Sequence, residues 1–302
     1  MEFVRQSYKL HAETFRNELN DEKRVAISQS WFDETTADYW RHARMYECAD
    51  CLVHRPDANW LTVGDGRWGL DAIRLKKRGD RNVLPTDISE YLLKEAKARG
   101  YITDYAIENA EHLSFSNESF DYVFCKESYH HFPRPYLALY EMLRVAREAV
   151  FLVEPNDQNP GIDEARRYVV ELDEKGTSRF PACRRNGWEG CGNYVYTVSR
   201  REIEKVALGL NLPQIVFKGL NDHYVKGCEF EPADLEKSEV FRKIVDNVAE
   251  NNARCARGEA DYALLMAGIF KRPMTESVRG EFVRRGWEVL DLPRNPHACN
   301  GD

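Results

Sequence analysis

The residues Gly64-Asp65-Gly66-Arg67-Trp68-Gly69 follow a short apolar run, Trp60-Leu-Thr-Val63, and open a stretch with helical spacing. Glycine lets a backbone turn tightly and come close to a ligand, and the free N–H groups of a helix start suit a polar or anionic group. Asp87 ends the next apolar run, roughly 20 residues on, where a β-α-β unit sets a carboxylate beside the hydroxyls of a ribose. Farther along, His130 and His131 follow Cys125-Lys-Glu-Ser-Tyr. Imidazole takes a proton near neutral pH, so either one can deprotonate a hydroxyl or amine as it attacks an electrophile. Glu154, Asn156 and Asp157 end a later run and Asp222-His223-Tyr224 another, a pattern that would bring acidic and imidazole groups to one pocket. Each feature has a plain alternative. Glycine also serves simply to turn a chain, Asn and Asp cap helices and surface turns, and a His pair can cap the next helix or pack beneath a ligand.

To act together these residues need a sheet that holds them at one edge. From Asn59 to about Phe151 short apolar runs alternate with amphipathic stretches, the rhythm of parallel strands covered by helices. The expected strands are Trp60–Val63, Asn82–Thr86, Tyr105–Glu108, Phe120–Cys125 and Ala149–Val153, followed by Gln214–Lys218 and a long last strand, Tyr262–Phe270. Helices are expected over 69–77, 89–99, 135–147, 199–210 and 234–257, with Ser89 as an N-cap and Gly100 at a C′ position. Pro85 cannot donate to a ladder and must lie at a strand end or an irregularity. The fold class is therefore α/β: a doubly wound, seven-stranded, mostly parallel sheet with an antiparallel last strand, an N-terminal helical cap and helical insertions. The division expected is a cap over 1–58, a core domain over 59–272 with insertions at about 156–198 and 225–260, and a charged tail over 273–302 that is partly disordered. A short helical piece near 163–172 is expected within the first insertion.

Composition narrows the function. The formal charge of −7 and pI near 5.7 oppose the basic footprint of a nucleic-acid binder. No window is apolar enough to cross a bilayer, and the first residues carry no signal-peptide pattern, so a cytoplasmic, membrane-free protein is expected. The eight cysteines are scattered, which suits reduced thiols. Cys48 and Cys51 form a CxxC without a second pair of ligands, so no metal is expected. The aromatic N-terminal segment, with Trp31, Phe32, Tyr39, Trp40, His42 and Tyr46, reads chiefly as core and secondarily as a lid over a ligand. Arg179, Arg184, Arg185, Arg200 and Arg201 read as a solvated face rather than an anion site.

After the third strand come Asn109-Ala110-Glu111, then Ser119-Phe120-Asp121 leading into the fourth, and a Glu141-x-x-Arg144-Val145 helix. Together with the glycine loop and Asp87, in this order, the series resembles class I, Rossmann-like, S-adenosylmethionine-dependent methyltransferases over about 60–155. The resemblance implies S-adenosylmethionine as cofactor, with Gly64 and Gly66 near its methionine part, Asp65 or a main-chain carbonyl as the group to meet its amino end, Asp87 on the ribose and Asn109-Ala110 beside the adenine. Ile88, Glu111 and Lys126 complete the expected cofactor-binding set, and His130, His131 and Glu154 the expected catalytic set. Two departures stand out: Thr62 replaces the family's acidic residue before the loop, and Trp68 takes the place of the third glycine, with Gly69 one later. The expected reaction is methyl transfer to an oxygen or nitrogen of a small metabolite or sugar-like acceptor.

Two other functions fit part of the pattern. The spacing Gly64, Gly66, Gly69 also satisfies the GxGxxG of an NAD(P)-binding Rossmann oxidoreductase, and only the later motifs argue against it. A non-catalytic, methyltransferase-like binding protein is the third reading, motivated by Thr62 and Trp68.

Overall fold

The structure is a computed structural model that describes residues 2–52, 55–79, 82–157, 171–172, 178–180, 183–189, 191 and 193–298. Five strands carry the parallel part of the sheet: β1 (Asn59–Val63), β2 (Asn82–Asp87), β3 (Ala106–Ile107), β4 (Phe120–Lys126) and β5 (Ala146–Pro155). Three short strands, β6 (Glu171–Leu172), β7 (Ser178–Phe180) and β8 (Cys183–Trp188), form a separate antiparallel sheet in the first insertion. The main sheet is completed by β9 (Gln214–Leu220), β10 (Leu264–Phe270) and β11 (Glu288–Asp291). Its order is β11-β9-β10-β5-β4-β1-β2-β3, and β10 runs antiparallel to both β5 and β9.

The central strands are mostly apolar along their middles because both of their faces are covered, as parallel sheets require. In β4, Val123 and Cys125 join a core with the helices Pro135–Val145 and Arg200–Gly209, while Tyr122 and Phe124 join a second core with Met45, Tyr46, Leu52 and Leu75. Trp60, Tyr122 and Phe151 pack ring on ring in that second core, with centroids 4.7 to 6.1 Å apart. Rings at these separations contribute about 0.5–1.5 kcal/mol per pair beyond area burial. All seven expected strands form, and Gly100, at φ 74°, closes the helix Tyr91–Ala98 from its C′ position.

Several expectations are corrected. The main sheet has eight strands rather than seven. The tail is ordered through the helix Glu276–Arg284 and β11, which pairs antiparallel with β9. Phe282 and Trp287 are what hold it: both are buried, Phe282 against the rings of Phe151 and Phe270 and Trp287 against Phe282. Ser89 is not a cap: its amide donates to Asp87 Oδ1 at 2.7 Å, its hydroxyl has no partner among the described residues, and the helix begins one residue past Glu90. Pro85 lies inside β2, opposite Thr62, and is tolerated because β3 pairs only with Thr86 and Asp87. The helical piece near 163–172 falls outside the described residues except for β6, which is extended. Among the described residues no helix is long and apolar enough to cross a membrane.

The N-terminal segment forms the helices Glu2–Ala12, Glu22–Ser30, Ala37–Ala43 and Glu47–Asp50. Asp21 and Thr36 cap the second and third through side-chain oxygens that accept backbone N–H groups. Tyr8 anchors the first to the core domain by donating its hydroxyl to Glu111 Oε2 at 2.6 Å.

Candidate active site

The strand order reverses between β1 and β4, and open α/β sheets bind ligands at the carboxyl ends of the strands beside such a point. A cavity of about 780 Å³ lies there. Its lining includes Gly64, Asp65, Asp87, Ile88, Asn109 and Ala110 from the sheet edge, and Tyr8, His11, Trp31, His42 and Tyr46 from the N-terminal helices. Of the aromatic segment, then, Trp31, His42 and Tyr46 form cavity wall, whereas Phe32 and Trp40 serve as packing.

The first turn is shaped by close contact. Gly64 has φ 77°, and a Cβ there would fall 2.3 Å from Ser128 Cβ. Ser128 Oγ donates to the Gly64 carbonyl at 2.7 Å, which ties the glycine loop to the segment bearing the histidines. A Cβ at Gly66 would sit 2.6–2.8 Å from the Asp87 carboxylate. Trp68 and Gly69 both take left-handed backbone, at φ 65° and 66°. The cost to Trp68, a conformation that bulky residues seldom adopt, is offset by burying its indole with Leu92, Leu93 and Ile102.

Asp87 accepts the Gly66 amide on Oδ2 at 2.9 Å and the Ser89 amide on Oδ1 at 2.7 Å. Burial outweighs these two N–H groups and pushes its carboxyl up to about 6. Asp65 is committed differently. It accepts the Thr62 hydroxyl at 2.8 Å and the Asp71 and Ala72 amides at 3.0 and 2.9 Å, and so closes the N-terminus of the helix Leu70–Lys77. The Thr62 departure is thus coupled to Asp65: the hydroxyl at one position serves the carboxylate three residues later.

Glu111 is likewise engaged, by Tyr8, by the Arg134 amide at 2.7 Å and by Arg134 Nε at 2.6 Å. Lys126 Nζ lies 3.1 Å from Glu127 and 3.7 Å from Asp71, whose carboxylate also accepts the Tyr46 hydroxyl. Burial would raise the Glu127 carboxyl, but the Lys126 and His42 charges win and hold it at about 2. Lys126 is shifted up by the acids around it, against the effect of burial.

Glu154, fully buried at the end of β5, accepts the Ser128 and Tyr129 amides, each at 3.0 Å, through Oε1. Its Oε2 lies 2.6 Å from His130 Nδ1. Burial pushes the imidazole down and the Glu154 charge pushes it up, with the charge prevailing, so His130 holds its proton more firmly than an ordinary histidine. A buried carboxylate that fixes one ring nitrogen leaves the other free for proton transfer. His131 packs on His130 at a ring-centroid distance of 3.9 Å and places Nδ1 2.8 Å from Glu189.

The other strand-end groups divide. Tyr224 reaches the cavity and donates to Glu229 at 2.8 Å. Asp222 is held by Arg41 and Arg44, Asn156 donates to the Tyr262 carbonyl at 3.0 Å, and Asp157 accepts the Thr197 hydroxyl at 2.9 Å, so these three act as structural partners. Arg200 and Arg201 pair with Glu288 and Glu204 on the surface, and the side chains of Arg179, Arg184 and Arg185 lie outside the described residues. Sequence reasoning missed Tyr8, His11, Arg67, Ser128, Glu189 and Cys191 as cavity residues. Only the place of Ser128 and Arg67 within quoted motifs gave any signal for them.

Residues 61–153 match the model of a family described as a methyltransferase domain. No curated protein matches the chain. Among solved structures, the chain is similar to an S-adenosylmethionine-dependent methyltransferase of Thermotoga maritima, with 16% identity, 89% of this chain and 100% of that one covered, and a TM-score of 0.48. It is also similar to a methyltransferase of Mesorhizobium loti, with 14% identity, 74% and 96% covered, and a TM-score of 0.43. TM-scores below 0.5 leave the matched segment and the sheet to carry the assignment. Residues 61–153, therefore, carry a methyltransferase domain, set on a mixed α/β sheet of the Rossmann-like kind.

Proposed function

We propose that the chain transfers a methyl group from S-adenosylmethionine to an oxygen or nitrogen of a small acceptor, a metabolite or sugar-like molecule. The observation that carries this reading is one open cavity shared by the glycine-loop and Asp87 cradle and by the Glu154–His130 pair. The cradle suits the cofactor: two glycines whose Cβ atoms would collide with their surroundings, and a half-buried carboxylate with lone pairs left beyond its two backbone donors. When bound, the cofactor supplies a methyl group on a positively charged sulfur, and such a displacement depends mainly on alignment and exclusion of water.

In this reading Gly64 and Gly66 admit the methionine part, Asp87 accepts the ribose hydroxyls, and Ile88, Asn109 and Ala110 border the adenine. Asp65, Glu111 and Lys126 are positioning residues, since their polar atoms are taken by the helix start, by Tyr8 and Arg134, and by Asp71 and Glu127. His130 is the base. With a proton on Nδ1 facing Glu154, its Nε2 takes the proton of the attacking hydroxyl or amine. His131, tied toward Glu189, shapes the acceptor side.

The antiparallel β10 between β5 and β9 disfavours the oxidoreductase, whose dinucleotide sheet continues parallel. Calorimetry with S-adenosylhomocysteine and with NAD separates the two: binding of the nucleotide and not the thioether would overturn the proposal, and binding of neither would favour the non-catalytic reading. Mass spectrometry of a metabolite pool incubated with labelled S-adenosylmethionine then identifies the acceptor and the atom modified.

A further inference from the structure

The cavity wall contains a second cluster, of which the methyl-transfer reading uses only Glu189, as the partner of His131. His11, near the end of the first helix, meets Glu189 and Cys191 of the first insertion, and one donor atom from each lies within 4.8 Å of the others. His11 Nε2 is 3.3 Å from Cys191 Sγ, which is 3.7 Å from Glu189 Oε2. A tetrahedral zinc ion, with bonds of about 2.3 Å to sulfur and about 2.0–2.1 Å to nitrogen or oxygen, sets such donors about 3.5 Å apart. The two separations here fall on either side of that distance.

From this geometry we infer that His11, Glu189 and Cys191 bind a zinc-class dication in the wall of the cavity. Three points support the donor set. One thiolate and one carboxylate neutralise a dication, and imidazole completes a mixed N, O and S group that selects zinc over magnesium or calcium. Asn193, fully buried, donates Nδ2 to Glu189 Oε2 at 3.0 Å and to the His131 carbonyl at 2.8 Å, the kind of support that orients metal ligands. The other Glu189 oxygen faces His131 Nδ1 at 2.8 Å. Binding breaks the Cys191 S–H bond, forms a metal–sulfur bond and releases the proton to solvent. Because His11 and Cys191 are 180 residues apart, the ion would clamp the N-terminal helix to the insertion across the cavity. Three protein ligands leave the fourth position of a tetrahedron for a donor atom from the acceptor or water, as in catalytic rather than structural zinc sites. The CxxC at Cys48 and Cys51 is a separate feature, buried against the sheet.

The test uses the full chain, reduced, stripped with a chelator and free of methyl donor, titrated with cobalt(II) as a spectroscopic stand-in and then with zinc. The expected result is one equivalent bound, with tetrahedral ligand-field bands and a thiolate-to-cobalt absorption that zinc abolishes. Cys191→Ser removes the thiolate absorption, His11→Gln weakens binding by about tenfold or more, and the double variant Cys48→Ser/Cys51→Ser changes neither. The inference is overturned if the unaltered chain takes up no stoichiometric cobalt, if the absorption survives in Cys191→Ser, or if it disappears in the CxxC double variant. None of these readouts depends on methyl transfer, so failure here leaves the enzymatic proposal standing.

Discussion

Asp87 offers the most exacting test of the cofactor cradle, because its carboxyl is raised from its ordinary 3.8 to about 6 and yet is assigned to accept ribose hydroxyls. A carboxyl with a folded-state pKa above its unfolded value favours the folded state most at low pH, and that advantage is lost as pH rises from about 4 through about 6. A shift of two units corresponds to about 3 kcal/mol against the ionised folded form, a tension that a ligand donating hydroxyl protons would relieve. If only the ionised form binds, the competent fraction grows from about one eleventh at pH 5 to about ten elevenths at pH 7, so affinity rises about tenfold, or about 1.4 kcal/mol. Near pH 6 about half a proton is released per ligand bound. Calorimetry of S-adenosylhomocysteine binding from pH 5 to 8, in buffers of different ionisation enthalpy, reads both quantities. Asp87→Ala should weaken binding by more than about 1 kcal/mol and flatten the pH dependence. Affinity that is flat from pH 5 to 7 in the unaltered chain, or unchanged in Asp87→Ala, would refute the assignment.

Three further expectations follow from the same geometry. His130→Gln should lower turnover about 10²–10⁴-fold while leaving S-adenosylhomocysteine affinity within about twofold, and in the unaltered enzyme the rate should climb as pH rises through a value above the ordinary histidine range, since the base must first lose its proton; a rate indifferent to both would exclude base catalysis. Gly64→Ala forces a Cβ onto Ser128 at φ 77° and should cost about 1–3 kcal/mol of stability, read as a lowered denaturation midpoint together with lost cofactor binding. Tyr8→Phe removes the hydroxyl held by Glu111 and should cost about 1–3 kcal/mol, seen as faster proteolysis within 2–12; an unaltered cleavage rate would show that the helix is held by other contacts.

The core of the site was legible because its signals are local. Gly64, Gly66, Asp87 and Glu154 sit at strand ends whose apolar runs and following helices read directly from periodicity and turn chemistry. Ser89 misled because a serine ahead of two leucines looks like a cap until Asp87 takes its amide. The tail misled because its charge hid Phe282 and Trp287, two side chains that bind it to a core drawn from distant strands.

The amino-acid order by itself therefore determined the alternation of strands and helices, the glycine turn and the acid that follows it, since each depends on neighbours a few residues away. Tertiary structure alone decided which polar groups remain free for a ligand. Asp65 is consumed by a helix start, Glu111 by Tyr8 and Arg134, while Glu154 meets His130 and His11 meets Cys191. These pairings join residues up to 180 positions apart, and no periodicity in the chain encodes a contact that exists only once the sheet brings its strand ends together and the N-terminal helices close over them.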